Sequence, residues 1–236
     1  MGQKLSQTAK DVITQVVIGL AANTAANLAS IRGAVEAAGE QNINPTLAKS
    51  LIEDFKKLHG LKTPVSYTNK TDKHQGPYFD TEPAPHGRIA GPTAETARQA
   101  IKDRKYDRMY SIDSPTSALH ELGHVKRHVD GEWSSRAYGY GWVSEVGSTI
   151  LMGAGYPGTA AVVAALGSIP TLDEERKASA LALDFLRAKL SKEEADKAAR
   201  VLDHAFKSHL HHAIANVATP IAYGFIKGMQ RVRPGK

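Results

Sequence analysis

The chain has no cysteine in its 236 residues. Disulfides and every cysteine-ligated zinc or iron–sulfur site are therefore excluded, and cysteine usage gives no reading of the redox compartment. Aromatic residues are scarce at 6%. The Lys and Arg behind the net charge of +6 are dispersed among 24 acidic residues, with no basic stripe interleaved with aromatics, so no nucleic-acid partner is expected. Two stretches lack charge altogether, Val12 to Ile31 and Val146 to Leu172. The first carries Thr14, Gln15, Asn23, Thr24 and Asn27 and is too polar to span a bilayer, so it reads as an amphipathic or helix-packing segment. The second is broken by Pro157 and Pro170 and predicts two short buried helices joined near Tyr156-Pro157-Gly158. No signal peptide is evident and the mean hydropathy is −0.33. The expected localisation is soluble or peripherally membrane-associated rather than integral.

What is present is the string His120-Glu121-Leu122-Gly123-His124. Residues four apart on a helix share a face, so the two imidazoles can meet one tetrahedral Zn²⁺. Glu121 is offset from that pair and can reach a metal-bound water as general base. Ser114-Pro115 supplies an N-cap with proline at the first helical position, and Asp130-Gly131 supplies a stop. A helix from about Pro115 to about Val129 is predicted.

Around it the chain reads as mainly α, with a small α+β element. The first 40 residues predict one long helix, forming an N-terminal segment (1–40) ahead of the main domain (41–236). A second helix starts at Asn44-Pro45, places Leu47, Leu51, Phe55 and Leu58 at helical spacing, and stops at Gly60. Leu61 to Gly91 turns to Pro, Gly, Thr and Tyr, with short strands expected at Val65–Tyr67 and Arg88–Ala90. Such a strand element just before a metal helix suits an extended peptide substrate, although a decorated loop fits the composition equally. Thr93 to Lys105 is predicted helical. Thr171-Leu172-Asp173-Glu174 forms a capping box expected to open a helix through Lys189, and Ser191 to Glu194 forms another opening a long Ala-rich helix. The basic tail from Lys227 to Lys236 reads as a frayed, solvated terminus.

A catalytic zinc site needs a third protein ligand. His128, Glu145, Glu174 and Glu175 follow in the sequence. His128 lies one turn beyond His124 on the same helix and would have to bend back to the same ion. Spacing alone permits both Glu145 and Glu175, the latter on a helix kept slim by Ala178, Ser179 and Ala182. Tyr138, Tyr140, His204, His209, His211 and His212 are candidates to stabilise an oxyanion, and the sequence does not rank them. The run His209 to His212 invites a second metal, but only His209 and His212 share a face, and a solvated helix end is the simpler expectation.

The segment Glu175-Arg176-Lys177-Ala178-Ser179-Ala180-Leu181-Ala182-Leu183 has the pattern ExxASxxAL. Together with HELGH, it resembles the third-ligand helix of the bacterial neutral zinc metallopeptidases, a gluzincin-like group usually embedded in membranes. The resemblance covers roughly Ser117 to Asn216. It implies a zincin-like helical peptidase domain, Zn²⁺ held by His120, His124 and Glu175, Glu121 as general base, and a peptide or protein substrate. The middle segment is shorter and less apolar than a membrane member would show. Two other classes compete with a peptidase: a structural or assembly protein retaining such a fold, and a membrane-surface protein anchored by its N-terminal helix.

Overall fold

The computed structural model describes residues 24, 45–68, 78–80, 88–92, 99, 102, 114–138 and 141–232. The expected N-terminal helix, apart from helical Thr24, lies outside this set, as does the proposed boundary at residue 40. The Thr93–Lys105 segment lies outside it too, save for helical Gln99 and Lys102. The described elements are α1 (Pro45–His59), β1 (Val65–Thr68), β2 (Tyr78–Asp80), β3 (Arg88–Pro92), α2 (Pro115–Val129), α3 (Trp133–Tyr138), α4 (Gly141–Gly153), α5 (Pro157–Lys189) and α6 (Lys192–Val232). The protein is mainly α.

The HELGH helix α2 forms where its local chemistry directs. Ser114 sits in extended backbone and its side chain accepts from the Ser117 N–H, with Pro115 next. At the other end Gly131 has φ +72, a left-handed conformation that costs glycine little. The N–H of Glu132 reaches back to the carbonyl of Arg127 at 3.1 Å and that of Gly131 to His128 at 3.0 Å, the paired closure of a glycine-terminated helix. Between these stops Ala118, Leu119, Leu122 and Val125 are fully buried. They join Leu51, Ile52 and Phe55 of α1, Ile89 of β3, Ala182, Phe185 and Leu186 of α5, and Ala198 and Leu202 of α6 in one core. On α1 the buried side is Ala48, Leu51, Ile52 and Phe55, whereas Leu47 and Leu58, expected on the same stripe, face solvent.

The strand element is present and stands before the HELGH helix α2. β3 is central, parallel to β1 (Val65 opposite Ile89) and antiparallel to β2 (Phe79 opposite Ile89). β2 and β3 both lie against α2.

Two expectations downstream are corrected. The uncharged stretch is not a pair of short buried helices. α4 ends at Gly153 as anticipated, but α5 starts at Pro157 and continues for 33 residues with Pro170 inside it. No new helix opens at Thr171. Proline removes one i→i−4 bond, here to the carbonyl of Leu166, whose residue is 61% exposed, where water can take the orphaned acceptor. Nor are these helices apolar on the inside only. Trp142, Val143, Val146 and Ile150 of α4 and Val162, Leu166 and Ile169 of α5 are exposed, so the uncharged sequence makes surface as well as core. The second capping box is as expected: the Glu194 N–H donates to Ser191 Oγ at 3.3 Å and the Ser191 N–H to Glu194 Oε2 at 3.1 Å. From it α6 runs to Val232, past Pro220, so the basic tail is helical as far as that residue. No helix among the described residues is long and apolar enough to cross a membrane.

One contact places the site. Gly123 of α2 meets Ala178 of α5 backbone to backbone, and a Cβ on Gly123 would lie 2.7 Å from the Ala178 carbonyl oxygen and 3.0 Å from its Cα. Backbone atoms cannot swing aside as a side chain can. In Gly123→Ala the helix gains about 1 kcal/mol of intrinsic propensity, against a steric cost of about 1–3 kcal/mol or more. Because the obstructing atoms are backbone, the upper end of that cost applies, and the expected result is a net loss of about 2 kcal/mol, read from the urea midpoint. A midpoint at or above wild type would contradict the close approach.

Candidate metal centre

α2 and α5 bring the two motifs together. His120 and His124 stand one turn apart on α2, their rings 4.7 Å between centroids and inclined at 81°. Their Nε2 atoms face each other at 3.2 Å. Glu175 of α5 closes a triangle, with Oε2 3.1 Å from His120 Nε2 and Oε1 3.7 Å from His124 Nε2. The side chains are nearly withdrawn from water, at 11% exposure for each histidine and 4% for the glutamate. This is the one group of three or more such side chains among the described residues that could hold a metal ion.

The donor set fits zinc. Ligand bonds of ~2.0–2.1 Å at tetrahedral angles put ligand atoms ~3.3–3.4 Å apart, close to the 3.2 Å between the two Nε2 atoms and the 3.1 Å from His120 Nε2 to Glu175 Oε2, with the second carboxylate oxygen 3.7 Å from His124 Nε2. Two imidazole nitrogens and a carboxylate oxygen are also the ligand types zinc accepts in catalytic sites.

Each histidine of the cluster is held from behind. His124 Nδ1 lies 3.1 Å from Glu174 Oε1; a carboxylate only accepts, so the proton sits on Nδ1 and Nε2 is left to face the centre. Glu174 is itself fixed, its Oε2 accepting from Arg127 Nε at 2.9 Å and from Ser134 Oγ at 3.1 Å, while Arg127 also donates to Ser134 at 2.7 Å. His120 Nδ1 is 3.1 Å from Ser179 Oγ. Consecutive Glu174 and Glu175 thus divide the work, one behind His124 and one in front. Burial favours the neutral acid of Glu174, but hydrogen bonds from His124 and Arg127 outweigh it and hold its pKa below the ordinary value. Glu175 follows the same pattern more strongly: burial opposes its charge, yet His124 and hydrogen bonds from both histidines hold it well below the usual carboxylate range.

Tyr138, at the end of α3, donates its hydroxyl to Glu175 Oε1 at 3.1 Å. Burial, then the charge of Glu175, pushes its pKa far up, so it remains a donor. His209 of α6 approaches the other oxygen, Nε2 to Oε2 3.5 Å, and burial pulls its pKa down. Both of these candidates thus approach the cluster's carboxylate. Tyr140 lies outside the described residues. The histidine run is mid-helix in α6 rather than a solvated end. Glu121 contributes its charge to both His124 and Tyr138, which places its carboxylate in the field of the site. Glu145 stands elsewhere, on α4, its Oε1 accepting from Asn216 Nδ2 at 3.0 Å. Arg127, Ser134 and Ser179 were not legible as site residues: only the helix-to-helix geometry gives them partners.

The two glutamates favour a proton on His124. Burial lowers the His124 pKa, but Glu175 and the hydrogen bonds to both glutamates override it and raise it to about 10, against an ordinary ~6.5. Without a cation His124 is therefore protonated at neutral pH, and an incoming metal must displace that proton. Zinc affinity is expected to rise about tenfold per pH unit above neutrality until pH approaches 10, with one proton released per ion. Calorimetric titrations in buffers of different ionisation enthalpy measure it. Affinity flat between pH 7 and 8.5 would contradict a protonated His124.

Among known proteins, no family model, curated protein or solved structure matches the chain.

Proposed function

We propose that the chain is a zinc-dependent metallopeptidase of gluzincin type, a zincin-like helical domain hydrolysing peptide bonds with Glu121 as general base. The observation that carries this reading is the buried triangle of His120, His124 and Glu175, with a further carboxylate, Glu121, in its field. Zinc held by the three side chains would lower the pKa of a bound water and polarise the scissile carbonyl. The rest is done by the chain. Glu121 takes the proton of the attacking water and returns it to the leaving amine. Tyr138 and His209 flank Glu175 and are the donors available to the oxyanion, Tyr138 first because it keeps its proton. Glu174, braced by Arg127 and Ser134, keeps His124 in one tautomer and one orientation. The strand element ahead of α2 offers backbone edges to an extended substrate.

The test is hydrolysis of casein and of a quenched peptide library by zinc-loaded protein, with products read by mass spectrometry. Cleavage abolished by chelation and restored by zinc is expected. A zinc-loaded protein that cleaves nothing would sink the reading and favour the assembly-protein alternative.

A further inference from the structure

A cavity of about 180 Å³ opens beside the metal cluster, between α4, the middle of α5 and α6. Its link to the cluster is direct. His209 lines it and also approaches Glu175 Oε2 at 3.5 Å, and Thr171, on its wall, stands one turn before Glu175 on α5. Ligand pockets for whole small molecules run to ~300–1,000 Å³, so this one is sized for a single side chain.

Its chemistry is uneven. The walls are mostly small or aliphatic, with Leu172 and Ala213 among them. The one acidic side chain in the lining is Glu145, anchored through Oε1 by Asn216 at 3.0 Å. The bases that share the lining with it are the imidazoles of His209 and His212; among the described residues it carries no lysine or arginine. A side chain with an aliphatic stem and a cationic head matches both parts, its methylenes against the wall and its charge on the carboxylate.

We propose that this cavity is a substrate subsite for an organic cation of the peptide, with Glu145 as its anchor. The inference rests on the peptidase reading. Lysine or arginine side chains beside the cleaved bond, and the peptide's own α-ammonium, share the chemistry. Because His209 joins the cavity to the ligand cluster, the residue that fills it adjoins the scissile bond.

Two experiments test the subsite. In the first, two singly cationic amides, N-acetylargininamide and norleucinamide, and the neutral N-acetylnorleucinamide are titrated into the full chain, with and without zinc, and followed by NMR. At least one cationic amide is expected to bind about tenfold tighter than the neutral one, as a hydrogen bond to a charged group implies, and the difference is expected to vanish in Glu145→Gln. Ala213→Phe, which fills the cavity from α6 without altering the carboxylate, is expected to remove the same preference. Equal binding of all three amides to wild type, or a preference that survives in both variants, overturns the subsite. The second experiment compares cleavage of N-acetylated peptides carrying internal Lys or Arg with that of free-amine peptides lacking them, and so separates the two sources of the cation. Cleavage without preference for either cation overturns the subsite and leaves the peptidase reading intact. Preference for a cationic amide without any cleavage does the reverse.

Discussion

Glu121→Gln is expected to lower peptide hydrolysis by about 10²–10⁴-fold, the range that a positioned general base supplies, while zinc remains bound one to one. The substitution keeps the shape and hydrogen-bonding reach of the side chain and removes only its ability to hold a proton. Glu121 is not one of the three converging donors, so metal content is predicted not to change. The loss belongs in kcat rather than KM, because the carboxylate acts on the proton in flight and not on the bound peptide. Zinc analysis and steady-state kinetics on the same preparation separate the outcomes. A variant as active as wild type would remove Glu121 from the chemistry.

Glu175→Ala is expected to abolish stoichiometric zinc binding, while Glu145→Ala retains it. Glu175 supplies one corner of the donor triangle and the only negative charge within it; without it two neutral imidazoles remain, too few for a catalytic zinc site. The same change removes the acceptor of the Tyr138 hydroxyl. The apo fold should suffer less than the ~3–5 kcal/mol that accompanies breaking a buried ion pair, because His124 can shed its proton instead of standing charged and alone. Glu145, paired with Asn216 on an exposed part of α4, has no place in the triangle. Metal analysis after dialysis against a weak chelator decides between them. Zinc kept by the Glu175 variant and lost from the Glu145 variant would reverse the ligand assignment.

The parts of this architecture legible in the sequence are those set by local chemistry. Ser114-Pro115 and Gly131 bound α2 because a cap needs only its neighbours, and Ser191 with Glu194 opens α6 for the same reason. The strands at Val65 and Arg88 were expected, although the composition fitted a decorated loop equally, and the antiparallel strand Tyr78–Asp80 between them in sequence was not. Thr171 to Glu174 shows where local reading stops. The pattern is a capping box, yet Glu174 is spent on His124 and Arg127, and the helix runs through Pro170 because α5 packs along its length on α2, α4 and α6. A side chain with a stronger long-range partner leaves its local one. Glu175 could not be separated from Glu145 by spacing, since both lie at distances a returning helix can cover. Ser179 stood out only as part of a slim face and of the ExxASxxAL pattern, not as a partner of His120, and the supporting Arg127 and Ser134 had no signal at all, being ordinary helix residues until α3 and α5 are set against α2.

The seat of Gly123 on Ala178 acts as a gauge. Gly123 lies between the two histidines and Ala178 lies one turn after the glutamate, so the stop that limits how near the helices come is within a turn of every donor. Functional constellations tolerate ~0.5 Å of misplacement, and a hard backbone stop meets that tolerance where a cushion of flexible side chains would not. The 55 positions separating His120 from Glu175 along the chain are then free of any dimensional duty. The length of the connecting region, including its exposed α4, could be altered while the width of the donor triangle stayed where the two backbones touch.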